Sequence, residues 1–192
     1  MLYLNQIGYP HIPYNHNLEK GGSPLSTIAS SGCGLCSACM IIDHLVIGGS
    51  LGLEECRDLS YACKANMHVG TDMHILGAAL AEKYNLDFEM TNDIDKLVDH
   101  LKNGGEAILN VTTDENGVGI FTSGGHYIVA TAYVNGEIEI LDPSYTRAKY
   151  TAKHCEGKVR IACPFVYSTP ETVASQSVPY RTHPFYLFKR KG

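Results

Sequence analysis

The hydrophobic period of this chain changes once, at Asn103-Gly104-Gly105, and that change constrains the fold more than any other feature. Before it, apolar residues recur at helical spacing; after it, they alternate. Leu35, Ala38, Cys39, Ile42, Leu45 and Val46 make one stripe of a helix that ends at Gly48-Gly49. Met40, Ile41 and Ile47 make its other side apolar too, so this helix is expected to be buried over most of its circumference. Further helices are predicted over residues 53–64, over 72–84 with Thr71 or Asp72 as N-cap, and over 93–102.

Period-two strands follow at residues 107–111, 126–133 and 137–141, the last two joined through Asn135-Gly136, a hairpin signal. Residues 164–167 and 186–188 are candidates for more strands, whereas residues 5–32, rich in Gly, Pro, Ser, Asn and His, read as a long irregular segment. Helices first and antiparallel strands second define an α+β chain. Its length of 192 residues fits one domain, 1–192, with a helical half at about 31–103 and a sheet half at about 104–192.

With 44% hydrophobic and 18% charged residues, the chain can build a sizeable core. A net charge of -5 gives no broad attraction to phosphate backbones or anionic lipid, and Lys189-Arg190-Lys191 is the only basic run, so neither a nucleic-acid nor a membrane partner is expected. No segment approaches the roughly 20 apolar residues of a membrane span, and a soluble, cytoplasmic protein is expected; the oligomeric state is not readable from the sequence. Seven cysteines, an odd number without a regular framework, point to reduced thiols rather than a disulfide scaffold.

Three of those cysteines, Cys33, Cys36 and Cys39, fall at three-residue spacing where the irregular segment becomes the apolar helix. The residues leave three readings open. Cys33 at the helix N-terminus is where a thiolate is favoured, which suits a nucleophile, with Cys36 and Cys39 as core. A metal site would draw a further ligand from Cys56, Cys63, His68 or His74. A Cys33–Cys36 redox pair has the spacing of a dithiol motif.

A nucleophile needs a base and something that orients the base. Of nine histidines, His126 stands apart, because it opens a strand directly after Gly124-Gly125. Asp142 extends the inward row of Ile138 and Ile140, where a carboxylate requires a donor. A hairpin closed by Asn135-Gly136 alone, with unbroken pairing, would put His126 and Asp142 on opposite faces. A three-residue loop, Val134-Asn135-Gly136, instead sets His126 opposite Ser144 and leaves His126 and Asp142 as diagonal neighbours about 7–8 Å apart, so that loop is predicted.

Gln6-Ile7-Gly8-Tyr9-Pro10, Ser31-Gly32-Cys33-Gly34, Gly124-Gly125-His126-Tyr127-Ile128-Val129 and Leu141-Asp142-Pro143, in that order, resemble the papain-like cysteine peptidases related to the bacteriocin-processing, double-glycine leader peptidases. The resemblance implies a nucleophile at Cys33, a general base at His126, an orienting carboxylate at Asp142, and an oxyanion-hole amide at Gln6 working with the Cys33 N–H. It also implies a helical half packed on an antiparallel half with the active cleft between them, a peptide or small amide substrate, a thioester intermediate and no cofactor. Where the family usually has proline and then a small residue such as threonine after the nucleophile's glycine, this chain has Leu35 and Cys36. Two alternatives remain beside a hydrolase: an acyl or peptidyl transferase using the same thioester, and a metal- or redox-binding protein built on Cys33, Cys36 and Cys39.

Overall fold

A computed structural model of the chain describes residues 1–177 and 183–192. A short α1 (Ile28–Ser31) turns through Gly32 directly into α2 (Cys33–Leu45), and every residue of α2 except Cys33, Asp43 and His44 is buried. α3 (Leu53–Ala62) follows, then α4 (Met73–Tyr84), whose N-cap Asp72 accepts a hydrogen bond from the His74 N–H at 3.0 Å. β1 (Leu86–Thr91) leads to α5 (Ile94–Lys102), capped by Asp93 through the Asp95 and Lys96 N–H groups. Next come β2 (Glu106–Val111), β3 (His126–Val134), β4 (Glu137–Leu141), α6 (Arg147–Tyr150), β5 (Val159–Ala162), β6 (Phe165–Ser168), α7 (Pro170–Ser175) and β7 (Phe185–Arg190).

All strand pairs are antiparallel and form one seven-stranded sheet in the order β1-β7-β2-β3-β4-β6-β5. Period-two side chains give this sheet two cores. Val129, Leu141, Ile108 and Phe188 pack with α2, α3 and α4 on one face. Ile128, Ala130, Ile138, Ile140 and Leu109 pack on the other face with Leu97 and Leu101 of α5. The α+β architecture is therefore as expected. Two strands, β1 and β5, are additions, and β1 lies between the helices expected over residues 72–84 and 93–102.

The β3–β4 hairpin departs from its expected turn. Asn135 and Gly136 both have left-handed φ, 54° and 88°, and Val134 stands opposite Glu137, so the turn has two residues rather than three. Asn-Gly takes this turn because its twist matches that of the flanking strands. Tyr133 pairs with Ile138 and Ala132 with Glu139, but beyond them Ala130 pairs with Ile140 and Val129 with Leu141. Thr131 is the extra residue of a β-bulge, and its Oγ1 donates to Glu139 Oε1 at 2.8 Å. The bulge supplies the one-residue offset assigned above to the loop, and it puts His126 and Asp142 back on one face.

The first residues lie along α2. The Leu2 N–H donates to Asp43 Oδ1 at 2.8 Å, the Leu2 carbonyl lies 2.8 Å from His44 Nε2, and the Leu4 N–H meets Met40 Sδ at 3.5 Å. This strap therefore climbs from the C-terminal end of α2 toward its N-terminus, where Gln6 begins a 3-10 turn, Gln6–Gly8. Among the described residues no helix is long and apolar enough to cross a membrane.

Candidate active site

Cys33 is the first residue of α2, and two glycines let it sit there. A Cβ at Gly32 would lie 2.6 Å from the Ile28 carbonyl oxygen, so only glycine allows α1 to run so tightly into α2. At Gly34 a Cβ would lie 2.9 Å from Thr71 Cβ and 3.2 Å from the Tyr127 ring. The bare backbone therefore lets the α2 N-terminus settle against the start of β3, beside His126.

His126 and Asp142 continue the rows of Ile128 and Ile140 out to the strand ends. His126 Nε2 is 2.7 Å from Asp142 Oδ1, which leaves Nδ1 for the thiol, and the ring and Cys33 act on each other electrostatically. Asp142 is fully buried and amply satisfied. Its Oδ1 also accepts from the Ser144 N–H at 2.7 Å, and its Oδ2 from Lys149 Nζ and the Tyr150 hydroxyl, both at 2.6 Å. Ser144 Oγ lies 3.0 Å from His126 Nε2, the position opposite His126 that the offset register requires. The Tyr3 hydroxyl donates to the Asp142 carbonyl at 2.9 Å.

These contacts set the charges. Burial works to raise the Cys33 thiol, but the hydrogen bond and charge of His126, helped by the Tyr127 and Gly34 amides, hold it below its ordinary range. Burial opposes a charge on His126 as well, yet hydrogen bonds to Asp142 and Cys33 and the Cys33 thiolate push the ring up to about 9. Against its own burial, Asp142 is held well below the usual carboxylate range by His126 and Lys149. The thiol and the imidazole are thus both drawn toward their charged forms beside a carboxylate and an ammonium, and this pairing of opposite charges limits the cost of burying them.

Gln6 is buried at the same end of the molecule. Its backbone N–H donates to the Pro143 carbonyl at 2.7 Å and its Nε2 to the Ala29 carbonyl at 2.9 Å, so it bridges the segment before Cys33 and the segment after Asp142. Gln6 Oε1 is buried with no hydrogen-bond partner among the described residues.

The three cysteines do not converge. Cys36 and Cys39 are fully buried in the core under α3, and Cys56 of α3 pushes the Cys39 thiol up. Among the described residues no group of three or more His, Cys, Asp or Glu side chains is arranged to hold a metal ion. His68 and His74 instead line a cleft of about 510 Å³, together with Cys33, His126, Asn110 and Tyr186. The cleft opens between the residues leading into α4 and the ends of the central strands.

Lys149 and Tyr150 were not singled out from sequence, because they approach Asp142 from α6 and no periodic pattern links them to it. A usable signal was present nonetheless. A buried carboxylate must find donors, and Ser144, Lys149 and Tyr150 all follow it within one short stretch.

No protein-family model and no curated protein matches this chain. Among solved structures it is similar to the peptidase domain of ComA from Streptococcus, a bi-functional ABC transporter involved in a quorum-sensing pathway, with a TM-score of 0.51 and 16% identity over 83% of this chain and 91% of that one. It is also similar to a candidate C39-like peptidase from Bacillus anthracis, with a TM-score of 0.60 and 13% identity over 100% of this chain and 95% of that one. At these identities the likeness is one of fold, and the fold is the papain-like α+β arrangement expected from the sequence.

Proposed function

We propose that the protein is a cysteine peptidase or amide hydrolase in which Cys33, His126 and Asp142 act as nucleophile, base and orienting carboxylate. The observation that carries this reading is a helix-terminal thiol electrostatically tied to His126, whose ring is hydrogen-bonded to buried Asp142, the group opening on a cleft. The likeness in fold to peptidases favours a peptide as the amide.

In this reading Cys33 Sγ adds to the scissile carbonyl carbon and the carbonyl becomes an oxyanion. The Cys33 N–H, in the first turn of α2, has no intrahelical acceptor and donates to it. Gln6 Nε2 gives one hydrogen to Ala29 and keeps its second for the oxyanion. His126 passes its Nδ1 proton to the departing amine and leaves a thioester. A water molecule, deprotonated by His126, then releases the acid and restores the thiolate. An amine in place of that water would make the same site a transferase, which product analysis by mass spectrometry with and without added amines distinguishes.

The test is the pH dependence of Cys33 alkylation by iodoacetamide, mapped by mass spectrometry so that exposed Cys163 is counted separately. Labelling should rise below the usual thiol range, hold a plateau while His126 stays protonated, and rise again above about 9 as the free thiolate appears. Hydrolysis of a peptide library should fall above about 9, because His126 can no longer protonate the leaving amine. In His126→Ala the plateau should vanish and a single rise remain, no lower than the ordinary thiol range, because burial is no longer opposed. A plateau that survives His126→Ala would overturn the reading.

Lys149→Met should move the basic limb of both profiles upward. Removing an ammonium from Asp142 Oδ2 leaves the carboxylate, still facing Tyr150 and Ser144, pulling harder on the His126 proton. Stability in urea should drop by about 1–3 kcal/mol, less than for a wholly stranded ion because those donors remain. Lys149→Arg should restore the wild-type profile.

A further inference from the structure

We propose that Cys33 and Cys36 close a reversible disulfide when the protein meets a hydroperoxide, so that the first turn of α2 is a redox switch on the site. The inference rests on Cys33 being the reactive thiol, as proposed above, and adds a partner which that chemistry does not use.

Cys33 and Cys36 are i, i+3 neighbours on α2. Helix geometry sets their Cα atoms about 5 Å apart, inside the roughly 4.4–6.8 Å that a disulfide spans. Both pack against the same core cluster, Cys36 within it and Cys33 at its margin. Access differs sharply: Cys33 lines the cleft, while Cys36 is fully buried. The next thiol inward, Cys39, is fully buried and is coupled instead to Cys56 of α3. Cys33 is also the first residue of its helix, and the first intrahelical bond beyond it runs from the Cys36 N–H to the Gly32 carbonyl.

The titration of the two thiols matches this division. Burial, then the neighbouring Cys39 and Cys33 charges, push Cys36 well above the ordinary thiol range, whereas His126 holds Cys33 below it. A peroxide entering the cleft thus meets one thiolate. Cys33 sulfur attacks a peroxide oxygen; the S–O bond forms, the O–O bond breaks, and the remainder leaves as alcohol or water after taking a proton, giving a sulfenic acid. Cys36 sulfur then attacks Cys33 sulfur; the S–S bond forms, the S–O bond breaks, and the hydroxyl leaves with the Cys36 proton as water. The two thiols lose two electrons and the peroxide gains two. The nucleophile is silenced but kept from irreversible over-oxidation, and an external dithiol restores it.

The test treats the reduced full chain with hydrogen peroxide, then follows intact mass, fragmentation of proteolytic peptides, and iodoacetamide labelling of Cys33. The expected result is a loss of about 2 Da localised to a Cys33–Cys36 bridge, no labelling of Cys33, and full recovery of both mass and labelling with dithiothreitol. In Cys36→Ala, Cys33 should gain about 32 Da as a sulfinic acid, and dithiothreitol should recover none of its labelling. Cys39→Ala, which keeps the pair, should behave as wild type. A wild-type protein that gains oxygen at Cys33 without a bridge, bridges Cys33 to another cysteine, or recovers no better than Cys36→Ala overturns this inference alone. Failure of Cys33 to label in the untreated, reduced protein overturns the functional reading and this inference together.

Discussion

Cys33→Ala is expected to lower hydrolysis of any peptide the protein cleaves by roughly 10⁴–10⁶-fold, to whatever the cleft achieves without a nucleophile. Folding should survive, because the lost thiol is half-buried at the end of α2 and its removal leaves the core residues Leu35, Ala38 and Ile42 in place. Urea denaturation should therefore shift by no more than about 1 kcal/mol. His126 loses two of the influences that raise it, the Cys33 hydrogen bond and charge, so the ring should titrate below about 9 in the variant, readable from its NMR shifts. Cys33→Ala and His126→Ala should be strongly non-additive, the double variant being scarcely worse than either single one, since the two side chains act as a unit. An additive loss, or appreciable turnover by Cys33→Ala, would move the chemistry to another residue.

Inserting one residue after Thr131 is the next largest effect expected, although Thr131 touches none of the reacting groups. The bulge takes up one extra residue between Ala130 and Ala132, so a second one moves every earlier β3 side chain one position along and exchanges its face relative to β4. His126 then leaves the face of Asp142, and Ile128 and Ala130 leave the core they occupy with it. Cys33 labelling at about pH 6, where an unassisted thiol is protonated, should fall to the level of His126→Ala. Deleting Thr131, by contrast, removes the bulge but keeps Ala130 opposite Ile140, and labelling should stay as in the wild type. Wild-type labelling in the insertion, or its loss in the deletion, would show that the register at Thr131 does not set the facing of His126.

The hairpin also shows how far sequence could reach. The alternation Ile138, Ile140, Asp142 and the position of His126 at a strand start were enough to require a one-residue offset between the strands. They could not say where it sits, because a longer loop and a bulge produce the same register at the far end. Turn chemistry favoured the bulge, since Asn-Gly is suited to the tight turn and Thr131 has an acceptor across the strand in Glu139. β1 was missed for a different reason. Leu86, Phe88 and Met90 do alternate, but they follow α4 after a single left-handed residue, Asn85, with no glycine or proline to mark the break. The partner of β1, β7, lies at the opposite end of the described chain, where no local pattern points to it.

The helical stripe was the most readable feature, and it sorted the cysteines: Cys36 and Cys39 fall among the fully buried residues and Cys33 at the edge. The ammonium beside Asp142 was the least readable, since it depends on how α6 folds back over the end of β4.

The place of β7 between β1 and β2 has a consequence in time. β1 has no other strand to pair with among the described residues, and β2 pairs with β7 on one side and β3 on the other. A chain emerging residue by residue therefore presents the thiol of α2 first, the imidazole of β3 later, and after both the strand that ties β1 to the rest of the sheet. The groups that make the thiol reactive are synthesised long after it, so the growing chain carries only an ordinary cysteine until they emerge.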